Sequence, residues 1–243
     1  MTPQELTPLD LDDRFAFECR SDLSCFNRCC RDLNQALTPY DTLRLRAHLG
    51  LTSQQFQKSY LDIHPGPSTG LPVASLRFAD HPEKYCPFVS DRGCSVYTAR
   101  PSSCRMYPLV RGVRRSRTDG RQSEHYALLH ESHCSGFEQG KSWTVRQWIE
   151  NQELTAFLDN NDAMLNLIAL KNQLRPGSLS SEHWHWTCAA FYDLDTFRQM
   201  ALSGELPAIA QVALPKPLPA EKDDARWLTW SLQWINVLLF ARS

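Results

Sequence analysis

Two stretches of the chain are dense in cysteine. Cys19, Cys25, Cys29 and Cys30 stand near the start, and Cys86, Cys94 and Cys104 fall within nineteen residues of one another, followed by Cys134. Eight of the nine cysteines thus lie in the first 134 residues, and Cys188 stands apart. Thiolate sulfur is the soft ligand that holds zinc or iron–sulfur clusters, commonly four to a site, so eight thiols suffice for one site with residues to spare or for two complete sites. Cys25 and Cys29, four apart, would share a face if helical. The neighbours Cys29 and Cys30 would point about a hundred degrees apart on a helix and to opposite faces of a strand. They serve two centres, or the backbone is irregular enough to bring both to one.

Other uses of so many thiols fit less well. A disulfide framework needs an oxidising compartment, but the opening MTPQELTPLDLDDRF has neither a basic nor an apolar leader region, and nine is odd. The expected setting is therefore reducing and cytoplasmic. Cysteines acting as small core hydrophobes would not be expected to cluster beside Arg, Gly and Pro. Metal ligation is the reading that remains. Compact CxxC knuckles, the usual mark of a zinc ribbon, do not occur. Long irregular spacings suit an iron–sulfur cluster, with zinc and mononuclear iron as the alternatives.

Four thiolates leave a zinc ion or an oxidised four-iron cluster with a charge of about −2, which favours nearby cations and N–H donors. Arg100 and Arg105 flank Cys104 and are the candidate neutralisers. Tyr97 and Tyr107 are candidates to donate to sulfur or to wall the site. Phe15, Phe17 and Phe26 offer apolar cover that would limit solvent access. His133 beside Cys134 reads as a bystander, the HWHW run at 183–186 as packing, and Cys188 as core.

The elements that must position these groups indicate an α+β protein: an irregular cysteine-rich core with a short β-hairpin, flanked by helices and followed by a mainly helical C-terminal part. The expected division is a metal-binding domain over 15–140 and a helical region over 141–243. Residues 1–14, acidic and proline-marked, read as a poorly ordered lead-in. Thr38 as N-cap, Pro39 at the first helical position and Gly50 as stop define a helix, and another starts at Thr52 or Ser53. VASLRF at 73–78 alternates as a short strand would. Residues 109–130 read as a hairpin turning at Asp119-Gly120, which would return Cys134 towards Cys104. Helices are expected over 143–158, capped by Ser142 or Thr144, over 163–174, and over 188–202 with Gly204 as stop, and LPKPLPAEKDD links to a last one.

A formal net charge of −1 gives no global field for nucleic acid or anionic membrane, and no aromatic residues interleave with basic ones as a nucleic-acid surface would require. Arg111, Arg114, Arg115, Arg117 and Arg121 form one local basic patch, read as a solvated hairpin edge. The final segment, ARWLTWSLQWINVLLFAR, is shorter than a bilayer span and carries Thr229, Ser231, Gln233 and Asn236, so it is expected to pack within the protein.

The motifs FxC…CxxxCC at 17–30, CPF at 86–88, GCSVYxxRPxxCRMYP at 93–108 and the later Cys134 with Gly136 together resemble the YkgJ-type CxxCxxCC family of zinc- or iron-chelating proteins. The resemblance covers residues 15–137. Here Cys19 and Cys25 enclose five residues and Cys25 and Cys29 three, wider than the family's name states. Flagellin lysine N-methylases are in the same group, so the resemblance also implies an alternative function: methyl transfer from S-adenosylmethionine to lysine of a protein substrate. No Gly-rich loop following a strand marks a Rossmann-like donor site.

Overall fold

The computed structural model describes residues 5–31, 33–78, 84–115, 121–138, 140–207 and 217–240, with Arg115 described in its backbone only. In chain order the elements begin with β1 (Glu5–Leu9), β2 (Arg14–Ala16), β3 (Ala36–Leu37), α1 (Pro39–Leu49), α2 (Ser53–Tyr60), β4 (Leu61–Pro65) and β5 (Pro72–Leu76). There follow β6 (Val89–Ser90), β7 (Gly93–Cys94), α3 (Ser102–Met106), β8 (Leu109–Arg115), β9 (Gln122–His130) and β10 (Ser142–Thr144). Among the described residues five helices follow: α4 (Val145–Asn151), α5 (Thr155–Leu174), α6 (Ser181–Tyr192), α7 (Leu194–Ser203) and α8 (Asp224–Phe240). The α+β class expected from the pattern is the class observed.

Contacts group these elements into two compact units, and the grouping differs from a cut at residue 140. The first unit comprises 1–33 and 81–156; the second comprises 34–80 and 157–243. All eight clustered cysteines belong to the first unit and Cys188 to the second.

In the first unit β8 and β9 form the expected antiparallel hairpin, running from Leu109 opposite Leu128 to Arg115 opposite Gln122. Its Asp119-Gly120 turn lies outside the described residues, as does Arg117. The lead-in expected to lack order instead supplies β1, which adds to the free side of β9 with Glu5 opposite His130 and Leu9 opposite Tyr126. The prolines that argued against structure are tolerated there because an edge strand need not donate on both sides. Downstream, β2 pairs with β10 and draws Phe15 and Phe17 into the core. Phe17 meets Tyr107, Phe137 and Trp148 with ring centroids 5.2–5.7 Å apart, and the Trp148 indole donates to the Met106 carbonyl at 3.0 Å. Such edge-to-face aromatic packing adds about 0.5–1.5 kcal/mol per pair beyond area burial.

Thr144 caps α4 through a capping box with Gln147, but the helix expected over 143–158 breaks at 152–154. Glu153 takes φ +52°, and the Gln152 carbonyl is captured by Arg105. Periodicity does not reveal that interruption, which a distant arginine accompanies.

The second unit pairs a small antiparallel sheet, ordered β3-β5-β4, with helices. Thr38 and Thr52 both close capping boxes, with Asp41 and Gln55 respectively, and Gly50 ends α1 at φ +66°. The helix expected over 188–202 is two, α6 and α7, because Asp193 turns to cap the second by accepting from the Thr196 N–H. α8 is the packing helix expected: Trp227, Trp230, Trp234, Ile235 and Leu239 are buried, and Phe197 of α7 meets Trp234 edge to face with ring centroids 5.2 Å apart. Among the described residues no helix is long and apolar enough to cross a membrane.

Candidate metal centre

The site is assembled from short irregular segments of the first unit, each fixed by backbone hydrogen bonds. On one side the Glu18 N–H donates to the Gly136 carbonyl at 2.9 Å and the Phe17 N–H to the Lys141 carbonyl at 3.0 Å, which lays the segment bearing Cys19 along the one bearing Cys134. This approach needs glycine. A Cβ at Gly140 would lie 2.4 Å from the Phe17 nitrogen, and one at Gly136 would lie 2.7 Å from the Phe17 ring. The Ser135 N–H donates to the Cys25 sulfur at 3.3 Å, so Cys25 sits beside Cys134. Backbone N–H donation of this kind favours the charged form of sulfur.

On the other side a 3-10 turn, Arg28–Cys30, follows Asn27 in the left-handed conformation at φ +66°. Asn tolerates that region better than most residues, and its amide donates to the Ser90 carbonyl at 2.9 Å. The Cys86 N–H donates to the Cys30 carbonyl at 2.9 Å, and Arg31 bridges to Tyr85. Val89 then donates to the Cys86 carbonyl and pairs with Cys94 across the β6–β7 hairpin, whose Gly93 has φ +105°. Cys104 sits on α3.

The thiols act on one another. Cys29 and Cys30 have sulfurs 4.0 Å apart. The hydrogen bond between them holds the Cys29 thiol down at about 7 and drives that of Cys30 far up. Burial, then the neighbouring charges of Cys29, Cys134 and Cys25, pushes Cys19 up to about 11. Burial likewise pushes Cys86 to about 11, with Cys94 and Cys29 adding to it, and raises Cys94 and Cys134. Burial leads at Cys19, Cys86, Cys94 and Cys134 and the charge of neighbouring thiolates adds to it, so these thiols do not all ionise unless a cation compensates.

The structure gives the two arginines different duties. At Cys94 burial outweighs the Val96 backbone and the Arg100 charge, which act to lower the thiol; the Arg100 guanidinium lies 3.9 Å from the Tyr97 ring centroid and bonds the Tyr97 carbonyl and the Gln152 side chain. Arg105, 3% exposed, bonds the carbonyls of Thr98, Arg100 and Gln152. It ties the 97–105 segment to the end of α4, a structural duty that spacing from Cys104 did not reveal. Tyr97 is 59% exposed and is held by Arg100. Tyr107 is the tyrosine beside sulfur: its buried hydroxyl has no protein hydrogen-bond partner at ordinary geometry, and burial followed by Cys134 raises its pKa well above the phenol range. His133 lies 3.8 Å from the Glu131 carboxylate, and its Nε2 is also buried without a hydrogen bond. The HWHW run lies on α6, in the second unit, as does Cys188, whose thiol burial raises to about 11. Ser135 and Gly140 escaped the sequence reading because one acts through its backbone N–H and the other by lacking a Cβ, and Asn27 because its side chain bonds a backbone carbonyl 63 residues away.

All nine cysteines are free thiols. Among the described residues no three His, Cys, Asp or Glu side chains already stand in ligand geometry around one point. Yet Cys19, Cys29 and Cys104 are exposed side chains, and rotation between staggered χ1 wells re-aims a sulfur without moving backbone. The donor set fits a thiophilic metal. Tetrahedral bonds of about 2.3 Å place ligand sulfurs about 3.8 Å apart, close to the 4.0 Å between Cys29 and Cys30. The unpartnered Tyr107 hydroxyl beside Cys134 is a donor suited to a charged sulfur.

Thiols in no disulfide, gathered by short loops, with the Ser135 N–H on the Cys25 sulfur and the Tyr107 hydroxyl near Cys134, define the class as a cysteine-cluster protein. Residues 18–138 match the CxxCxxCC family, described as a "putative zinc- or iron-chelating domain", and the chain belongs to that family. No curated protein and no solved structure matches it.

Proposed function

We propose that the first unit is a metal-binding module that holds an iron–sulfur cluster through cysteine thiolates, drawn from Cys19, Cys25, Cys29, Cys30, Cys86, Cys94, Cys104 and Cys134. The observation that carries this reading is the gathering of all eight thiols into one unit, although 34–80 separates their two stretches in sequence. A bound cluster would supply one-electron chemistry or a structural staple. The chain's own residues would supply the ligand sulfurs, N–H donation from Ser135 and positive charge from Arg100. Irregular loops rather than paired knuckles favour a cluster over a lone zinc ion. Nine unpaired thiols suit a reducing compartment such as the cytoplasm. Methyl transfer from S-adenosylmethionine rests on resemblance alone, and no observation in the first unit favours it.

Elemental and sulfide analysis of anaerobically purified protein tests the reading. Iron and acid-labile sulfide in equal amounts, with a visible charge-transfer band bleached by dithionite, are expected. Stoichiometric zinc without sulfide would replace the cluster with a zinc–thiolate site, and metal-free protein that takes up neither would end the metal reading.

A further inference from the structure

We propose that the outer edge of β8 accepts an extended acidic segment of a partner protein as an added antiparallel strand, with an aromatic side chain of that segment lying over Gly112. The surface belongs to the hairpin and goes beyond the metal reading. In the sheet ordered β1-β9-β8, β8 is an edge. The Leu129 N–H donates to the Pro108 carbonyl at 2.8 Å, and the same register carries on from Leu109 opposite Leu128. Even-numbered residues of β8 therefore turn their backbone groups to β9, and odd-numbered ones turn theirs outward. Val113 is one of the latter, and no described residue beyond the sheet bonds its N–H or C=O. Leu109 is buried, which confines access to 111–115.

Gly112 is the residue that the hairpin itself does not require. It is exposed, its φ lies outside the left-handed region, and a Cβ there would meet only the His125 carbonyl, at 4.0 Å. Glycine weakens a strand, and inside one it often marks a bulge or a place where another backbone approaches closely. No bulge interrupts the register from Leu109 to Arg115. With its backbone groups turned to β9, Gly112 would form a close, non-hydrogen-bonded pair with a strand on its other side, and an aromatic residue fills the gap that an edge glycine leaves.

Charge selects the chemistry of the guest. Arg114 shares a face with Val110 and Gly112, is exposed and makes no ion pair among the described residues. Glu124, opposite Val113, is taken by Arg111 at 2.9 Å and by the Tyr126 hydroxyl at 2.6 Å. An antiparallel guest thus sets a carboxylate against Arg114 two positions before its aromatic residue, and an apolar side chain against Val110 two positions after it. A second copy's β8 would bring one arginine-rich edge against another, an arrangement that repels.

The probe is the capped peptide EEVYTV, added to the full-length protein and followed by anisotropy of the labelled peptide and by amide hydrogen exchange. Saturable binding that slows exchange of the Val113 amide is expected. The peptide KKVYTV, and EEVYTV N-methylated at the valine that faces Val113, should each bind about tenfold more weakly or worse. Gly112→Val should raise the thermal midpoint, since a β-branched residue suits a strand, and yet weaken binding by a similar factor, as should Arg114→Glu. No binding at millimolar peptide, or equal binding of KKVYTV, would overturn the proposal. Binding that survives N-methylation would mark a general polyanion site and overturn it too, as would a dimer of the protein that Gly112→Val dissolves, which gives the edge to a second copy.

Discussion

At the scale of single residues, the cysteine cluster depends on side chains that do not ligate. Gly140 lies where any Cβ would run into the Phe17 backbone, so Gly140→Ala must shift β2 away from the segment bearing Cys134. A cost of about 1–3 kcal/mol is expected from such overpacking, read as a lower thermal midpoint together with weaker metal retention. Tyr107→Phe removes a hydroxyl beside Cys134 and should leave folding intact while speeding loss of zinc to a chelator, since hydrogen bonds from outside the ligand set tune metal affinity by about 10–100-fold. The ligand candidates were legible because cysteine is rare and the clusters dense. Their supports were not, because Ser135 acts through a backbone N–H and Arg105 through backbone carbonyls, and backbone groups carry no signature in side-chain spacing.

At the scale of elements, capping chemistry was the most readable feature: Thr38, Thr52 and Thr144 each close a capping box. Breaks within apolar runs were missed. The 143–158 run is cut where Arg105 takes the Gln152 carbonyl, and the 188–202 run where Asp193 caps α7. β1 went unseen because a strand recruited to the edge of a hairpin needs no apolar alternation of its own. Replacing Arg105 by Ala leaves the carbonyls of Thr98, Arg100 and Gln152 without this donor, the Arg100 one in a buried bond, and a loss of about 1–3 kcal/mol is expected in denaturant unfolding. Lysine, a point charge without the planar fork, should rescue little of it.

At the scale of the whole molecule, the two units rest on different physics. The second is an aromatic and aliphatic core pinned by ions: Arg46 bonds Asp195 at 3.2 Å and Asp224 at 2.7 Å, and Arg198 bonds the same two carboxylates. Burial alone would raise the Asp195 carboxyl, but the Ser53 N–H and the Arg46 guanidinium outweigh it and hold the pKa below the usual range. A depressed folded value means that the stabilisation is complete above the unfolded pKa of about 3.9 and lost as pH falls through the folded one. The stability gap between wild type and Asp195→Asn should therefore be widest near neutrality and close on acidification, as followed by urea midpoints across the pH range. The first unit, by contrast, carries thiols whose crowding opposes ionisation, so metal removal should expose 81–156 to proteolysis while Cys188→Ser leaves metal content unchanged.

The interrupted course of the first unit has a consequence for biosynthesis. Cys19 to Cys30 emerge from the ribosome well before Cys86 to Cys134, with the 34–80 segment synthesised between them. Early thiols must stay reduced and unclaimed until the later stretch arrives, and ring closure across that span is a slow, high-separation event. Nascent chains should consequently capture metal only once the later cysteine stretch clears the exit tunnel, a timing that pulse-labelled translation with staged thiol trapping would display.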